Sequence, residues 1–419
     1  MPEWNTTHAN LIDGEFWIQP AAVVDAEIVR LHAEAPLDFF EELMPEDSPI
    51  PAGPGYWQVI RHEDIATVSR NAEVYSSADG IVVTNFPTEF LEFFSSMIGM
   101  DDPRHQRLRR IVAKGFTPRM LAELDESVHG VAAEIVANIA ADGECDFVAD
   151  VAAALPLKIV CDLMGVPEEN YQQVFEASNV ILGASDPDFQ VEGVDFVTAL
   201  LTAGGELAAL MDQVVEDKRG GDGTDLTSMI VNADLEDDQL SGADLASFFI
   251  LLVVAGNETT RNAISWGLKY LTDHPDQREL WMSDFEKYAS SAVEEIVRLA
   301  SPVTYMRRTV VSDTTLSGQD LKAGDKVCMF YLAANRDPSV FDRALDFDIA
   351  RDPNPQYGFG GPGPHFCLGA HLARREITVI FRELFKRLPD IHAAEEPALL
   401  QASFIHGVKR MRAEFTPIS

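Results

Sequence analysis

The segment that most limits how this chain can fold lies between Ser241 and Asp273. It contains the run Phe248-Phe-Ile-Leu-Leu-Val-Val, and Ser241 with Asp244 makes a capping box at its start. Read as a helix over 241–273, at 1.5 Å per residue, it spans roughly 50 Å, enough to cross a whole domain. A helix apolar on every side has to be buried, so the rest of the chain must pack around it. Hydrophobic residues make up 46% of the 419 and can supply that core. Further helical patterns fall at 119–141, 154–164, 192–217, 278–299 and 368–387. Residues 55–70 read as a strand and then a helix, and 303–332 alternate like strands with a turn at Ser317 and Gly318. Lys218 to Asp225 is a Gly-rich loop rather than a linker. Residues 334–366, rich in Pro, Gly, Asn and Asp, read as a long ordered coil of a kind that is usually functional. The expected fold is mainly α with minor β, in a single domain over 1–419 with an N-terminal tail at 1–15.

Charge excludes one class of partner. There are 32 Lys and Arg against 68 Asp and Glu, a formal charge of −36, whereas nucleic acid requires a basic field. Cys145, Cys161, Cys328 and Cys367 are too scattered for a disulfide framework or a zinc set, which suits a reducing compartment. The start of the chain has no basic stretch leading into an apolar run, so no signal peptide is expected. The longest unbroken apolar run, Phe248 to Ala255, is short of the roughly 20 residues a membrane span needs. A cytoplasmic protein without a membrane span is expected.

The strongest chemical signal is Gly358-Phe-Gly-Gly-Pro-Gly-Pro-His-Phe-Cys367-Leu-Gly-Ala. Its glycines let backbone lie against a flat ligand. They deliver one cysteine to the start of a helix, where unpaired N–H groups and the dipole favour a thiolate. A free cysteine is more often a small buried hydrophobe, which suits the other three. A thiolate in this setting can ligate haem iron and favour O–O cleavage. The segment resembles the haem-binding loop of the cytochrome P-450 superfamily, with Gly363, His365, Cys367 and Gly369 at the family's spacing. The phenylalanine usual seven places before the cysteine is replaced by Gly360, with Phe359 one position earlier.

Three further motifs follow the family's order. Ala255-Gly256-Asn257-Glu258-Thr259-Thr260 resembles its oxygen-activation motif. A mid-helix Thr can bond back to the i−4 carbonyl and widen the helix locally. The resemblance implies space over the iron at Gly256, a hydroxyl for the distal oxygen's proton partner at Thr259, and proton entry from solvent through Glu258. Glu295 and Arg298, at i and i+3, can pair on one helical face. Such pairs are usually solvated, but these resemble the family's structural ion-pair core, with Arg351 as third member and Ala344 where a proline is usual. His105 and Arg109 share a helical face, and with Arg308 and His365 resemble the residues that bind the haem propionates. Singly, each would more often be a solvated charge.

The resemblance implies a triangular helical prism with a long central helix and small sheets. The implied cofactor is haem b (iron protoporphyrin IX), ligated by Cys367 and also touched by Ala255, Gly256, Phe359 and Gly369. Electrons would come from an external ferredoxin and an NAD(P)H-dependent reductase. Residues 104–119 hold Arg104, Arg107, Arg109, Arg110, Lys114 and Arg119 and no acidic residue, a patch suited to an acidic ferredoxin. Several of these arginines are expected instead in haem contacts and internal pairs.

The expected reaction is ferredoxin-dependent monooxygenation of a small apolar substrate. Stretches such as LLVVAGNETTRNAIS, SAVEEIVRLASPVTYMRRT and SFIHGVKRM resemble actinobacterial members that hydroxylate a terminal methyl of methyl-branched lipids or isoprenoids. Neighbouring members oxidise the side chain of steroids. Met97, Ile98, Val180, Ile181, Leu182, Phe249, Leu252, Val253, Val303 and Phe404 are candidate pocket walls, each with ordinary core as its rival. A non-catalytic haem- or lipid-binding protein is the alternative from another class.

Overall fold

The computed structural model describes residues 2–44, 48–116, 118–183, 186–190, 193–232 and 241–418, without the side chains of residues 95, 114, 118–123 and 182. In chain order, the elements used below begin with β1 (Leu37–Phe40), β2 (Tyr56–Val59), α1 (His62–Arg70), β3 (Tyr75–Ser76), α2 (Thr88–Ser95) and α3 (Arg104–Val112). Next come α4 (Ala154–Met164), α5 (Tyr171–Gly183), α6 (Phe196–Lys218), α7 (Gly242–Asp273) and α8 (Phe285–Ala300). The last are β4 (Tyr305–Val310), β5 (Thr314–Leu316), β6 (Gln319–Leu321), β7 (Lys326–Phe330) and α9 (Ala370–Arg387). The structure is mainly α with small sheets, as the hydrophobic patterning implies.

The chain forms two compact units interleaved in sequence. The first holds residues 1–106, 294–367 and 399–407; the second holds 107–293, 368–398 and 408–419. In the first, a sheet of order β1-β2-β7-β4-β3 is antiparallel except for β2 against β7, where Trp57 faces Val327. β2 and β7 are buried along their whole length, Gln58 and Lys326 included. The hairpin β5–β6 turns at Ser317 and Gly318, both at positive φ, where the sequence placed it.

The N-terminal segment corrects the expected tail at 1–15. Leu11 is fully buried, its N–H donates to Gln58 Oε1 at 3.0 Å, and its carbonyl accepts from Trp17 Nε1 at 2.9 Å. Asn5 Nδ2 donates to Asp38 Oδ2 at 2.7 Å. Leu11, Ile12 and Trp17 join the core above the sheet, and that burial offsets the ordering entropy a polar tail could not.

In the second unit α7 packs against α4, α5, α6 and α9. Its capping box is present: Asp244 N–H donates to Ser241 Oγ at 3.1 Å, and Ser241 N–H to Asp244 Oδ2 at 3.1 Å. By length and composition α7 is apolar enough to cross a membrane, and 50% of its most apolar window is buried inside the structure. The pattern at 278–299 is two helices, Pro275–Ser283 and α8. Asp284 leaves helical geometry (φ −154°, ψ 80°) between them, and its carboxylate accepts the Lys287 N–H at 3.3 Å. Buried Trp281 still stacks on Phe285, centroids 5.1 Å apart, so the apolar period continues across the break.

Glu376 on α9 is buried, and burial pushes its carboxyl up to about 8. Between the ordinary carboxylate value and about 8 the folded state holds a proton that the unfolded state has released. This group therefore lowers stability as pH rises through that window, with the full penalty above it. Glu376→Gln should become progressively more stable than the parent from pH 5 to 8, measured by denaturant melts across pH. A pH-independent difference would show that Glu376 does not titrate there.

Candidate functional site

The cysteine loop belongs to the first unit. Gly363 could carry no side chain, because a Cβ would stand 2.2 Å from the carbonyl oxygen of Ser69 at the end of α1. That approach fixes the loop against α1 and sets the path to Cys367, whose N–H donates to the Phe359 carbonyl at 3.0 Å. Cys367 is exposed, while Cys161 and Cys328 are fully buried and Cys145 is half-buried. Burial pushes the thiols of those three up to about 12, which suits the small-hydrophobe reading made for them. α9 begins three residues after Cys367, with Gly369 at its N-cap and no side chain capping its first N–H groups.

Basic side chains gather in the same unit. His105 is buried and its ring lies 4.2 Å from that of His365. His365 Nε2 is 3.2 Å from Ser77 Oγ, and Ser77 N–H donates to Asp101 Oδ1 at 2.9 Å. Arg308 on β4 is buried, which lowers its pKa, while the charges of Tyr331 and Asp101 act the other way. The structure thus brings His105 and His365 together. Arg109, half-buried on α3, falls in the second unit.

The expected ion-pair core is present and wider than a pair. Glu295 and Arg298 on α8 are both fully buried. Glu295 accepts two bonds from Arg298 at 2.7 and 2.8 Å, one from Arg351 Nε at 3.1 Å, one from Asn354 Nδ2 at 3.0 Å and one from the Asp348 N–H at 2.9 Å. Arg298 also donates to the carbonyls of Asn335, Ala344 and Asp346 at 2.6–2.9 Å. The coil at 334–366 is therefore held by buried charge. Ala344, at the position of the missing proline, has its carbonyl bound by Arg298 at 2.6 Å, which restrains the backbone there without a ring.

On α7, Thr259 Oγ1 donates to the Ala255 carbonyl at 2.7 Å, the i−4 bond expected from sequence, and the helix continues through it without the expected widening. α7 is not buried all round: Leu252, Ala255, Gly256 and Thr259, spaced by three and four, form a partly open stripe. A Cβ on Gly256 would stand 2.6 Å from Val160 Cγ2, so this glycine also serves close packing with α4.

Glu258 departs from the expected solvent entry. It is 1% exposed and pairs with Arg261, while Asn262 Nδ2 donates to its Oε1 at 3.2 Å. Arg261 reaches Asn179 Oδ1 on α5 at 2.8 Å, and Asn262 Oδ1 accepts the Val408 N–H at 2.9 Å. Arg261 and Asn262 were not singled out from sequence, although Glu258 and Arg261 stand at i and i+3.

Among the expected pocket walls, Met97, Ile98, Val180, Ile181, Leu252, Val303 and Phe404 are partly open. Phe249 and Val253 are fully buried and belong to the core of their unit, because they face inward on α7. The Leu182 side chain lies outside the described residues, as do those of Lys114 and Arg119 in the basic run. Arg104, Arg107 and Arg110 are exposed.

An exposed thiol, a close-packed glycine loop and the basic side chains His105, His365 and Arg308 in one unit fit a flat, carboxylate-bearing cofactor whose metal takes a thiolate. Comparison with known proteins agrees. The family model described as Cytochrome P450 matches residues 202–389. The methyl-branched lipid omega-hydroxylase of Mycobacterium tuberculosis is 46% identical over 400 residues, covering 95% of this chain and 92% of that protein. The steroid C26-monooxygenase of Rhodococcus jostii is 38% identical over 370 residues, covering 87% and 76%. A cytochrome P450 of Mycobacterium marinum, solved in complex with pseudoionone, superposes with a TM-score of 0.93 at 39% identity, covering 99% and 100%.

Proposed function

The chain belongs to the cytochrome P450 family and is a monooxygenase, and from that premise we propose that it hydroxylates a terminal methyl of a methyl-branched lipid. The observation that carries this reading is the 46% identity to a methyl-branched lipid omega-hydroxylase across 95% of the chain. The partly open apolar residues Met97, Ile98, Val303 and Phe404 of the first unit support it, since a hydrocarbon needs apolar walls. The 38% identity to a steroid C26-monooxygenase favours steroid side-chain oxidation as the second reading.

In this proposal the whole chain works as one haem domain. Cys367 supplies the iron's thiolate, and His105, Arg109, Arg308 and His365 hold the propionates. Ala255, Gly256, Phe359 and Gly369 line the ring. The haem, when bound, supplies O₂ cleavage and transfer of one oxygen atom to a C–H bond. Thr259 presents a hydroxyl anchored on the Ala255 carbonyl, and Glu258 holds the nearby proton-exchanging carboxylate, oriented by Arg261 and Asn262. An acidic ferredoxin, reduced by an NAD(P)H-dependent reductase, docks on the run that includes exposed Arg104, Arg107 and Arg110. The enzyme works in the cytoplasm.

Reconstitution with ferredoxin, reductase and NADH tests the reading. A methyl-branched fatty acid should yield its ω-hydroxy acid with a higher kcat/KM than a sterol with an intact side chain. Preference for the sterol, or no product from either, would overturn the substrate assignment. In the same assay Thr259→Ala should keep consuming NADH while product per NADH falls several-fold; an unchanged ratio would remove Thr259 from oxygen activation.

A further inference from the structure

Two arginines follow each other on β4, and side chains alternate across a strand, so Arg307 and Arg308 point to opposite faces of the sheet. The proposed propionate partner is Arg308. Arg307 has no part in that site, yet it is 3% exposed, and no carboxylate lies within ion-pair distance of it among the described residues. A buried cation without a paired carboxylate is expensive, and such a local conflict more often marks function than stability.

Its bonds converge on one short segment. Nη1 donates to Asn85 Oδ1 at 3.0 Å and reaches the carbonyls of Val82 and Val83 at 3.4 and 3.5 Å, while the Arg307 N–H donates to the Ile81 carbonyl at 2.7 Å. Nη2 is braced by Thr309 Oγ1 at 3.1 Å. The floor beneath the segment adds two more bonds. Lys326 Nζ on β7 donates to the Val83 carbonyl at 2.7 Å, and the Val83 N–H donates to the Tyr305 hydroxyl at 3.3 Å. A planar guanidinium can serve several acceptors at once, which an ammonium on a flexible stem cannot do with the same geometry.

The chain leaves this clamp directly into an aromatic ridge. Phe86 stacks on Phe90 (4.2 Å between centroids, 9° between planes), and Phe90 meets Phe94 at 4.5 Å. Phe90 and Phe94, four apart, share one face of α2, and Phe86, just before the helix, extends the stack back to the clamped segment. Met97 and Ile98, proposed walls of the substrate pocket, follow it.

We propose that Arg307 is a positioning residue for substrate specificity: by clamping residues 81–85 it sets where the ridge of α2 and the following Met97 and Ile98 stand against an apolar substrate. The clamp stands on the contacts above; its use in specificity rests on the proposed lipid hydroxylation.

The test is hydrogen exchange on the haem-loaded enzyme, with Arg307→Met, Arg307→Lys and Asn85→Ala. Asn85 is exposed, so its variant removes one acceptor without leaving a buried gap. Loss of the charged donor should speed amide exchange at 81–98 on the order of tenfold or more. Arg307→Lys should be intermediate, and Asn85→Ala should act more weakly in the same direction. With a methyl-branched fatty acid, Arg307→Met should raise KM and the share of product oxidised away from the terminal carbon, with kcat within about twofold. Unchanged exchange at 81–98 in all three variants would overturn the clamp. So would exchange that rises equally over β1, β2 and β7, since Arg307 would then serve the sheet alone. Locally faster exchange with KM and product ratio unmoved would overturn the specificity role. If the lipid is not a substrate of the parent enzyme, the exchange result still decides the clamp, so that failure is seen separately.

Discussion

Arg298→Ala should yield no stably folded, haem-loaded protein. Arg298 is fully buried with its charge, and only its partners offset the cost of that burial. Removing it leaves Glu295 buried with its nearest counter-charge gone, a change that costs about 3–5 kcal/mol for a buried pair. It also strips a donor from the carbonyls of Asn335, Ala344 and Asp346, each such loss costing about 1–3 kcal/mol where water cannot replace it. Against a total stability of about 5–15 kcal/mol, the sum leaves little or nothing. Arg298→Lys should fail nearly as badly, because one ammonium offers three donors where five bonds to Glu295 and the coil are made. Soluble yield and the thermal melt of the holoprotein measure the effect. A variant melting with the parent would mean that Arg351 and Asn354 alone hold Glu295 and the coil.

Much of this architecture is legible in the sequence because it depends on local pattern. The capping box at Ser241, the apolar period of α7, and the turn at Ser317 and Gly318 each follow from a few neighbouring residues. The pairing of Glu295 with Arg298 was readable for the same reason. That Arg298 also binds three carbonyls 37 to 48 residues away was not, because those bonds depend on tertiary packing. The expected N-terminal tail failed likewise: Leu11 is held by Gln58, which is distant in sequence, and local polarity around it gave the wrong impression. Glu258 shows a third kind of difference. Its residue type and place in the motif suggest contact with solvent, but Arg261 one turn later encloses it. The inward turn of Phe249 and Val253 could not be distinguished from Leu252 by composition, since all are apolar and only the helix's rotation within its unit separates them.

Cys367→Ser should abolish the strongly red-shifted Soret band of the reduced, carbon monoxide-bound protein and bring hydroxylation down to background. Access and local environment single out Cys367 among the cysteines. Four cysteines are present, but a ligand must reach iron as a thiolate. Cys161 and Cys328 are fully buried, and burial holds their thiols, like that of Cys145, at about 12. Cys367 is exposed, carried by a loop whose course is fixed where Gly363 meets Ser69, and placed just before the uncapped start of α9. Serine keeps the backbone bond from residue 367 to the Phe359 carbonyl, so the loop should keep its path and far-ultraviolet dichroism should match the parent. The hydroxyl cannot replace the thiolate's electron donation to iron, so loss of the band with the fold retained isolates the ligand. Cys328→Ser provides the control and should leave the spectrum unchanged. If instead Cys367→Ser keeps the red-shifted band, the ligand lies elsewhere and the reading of the whole glycine loop fails with it.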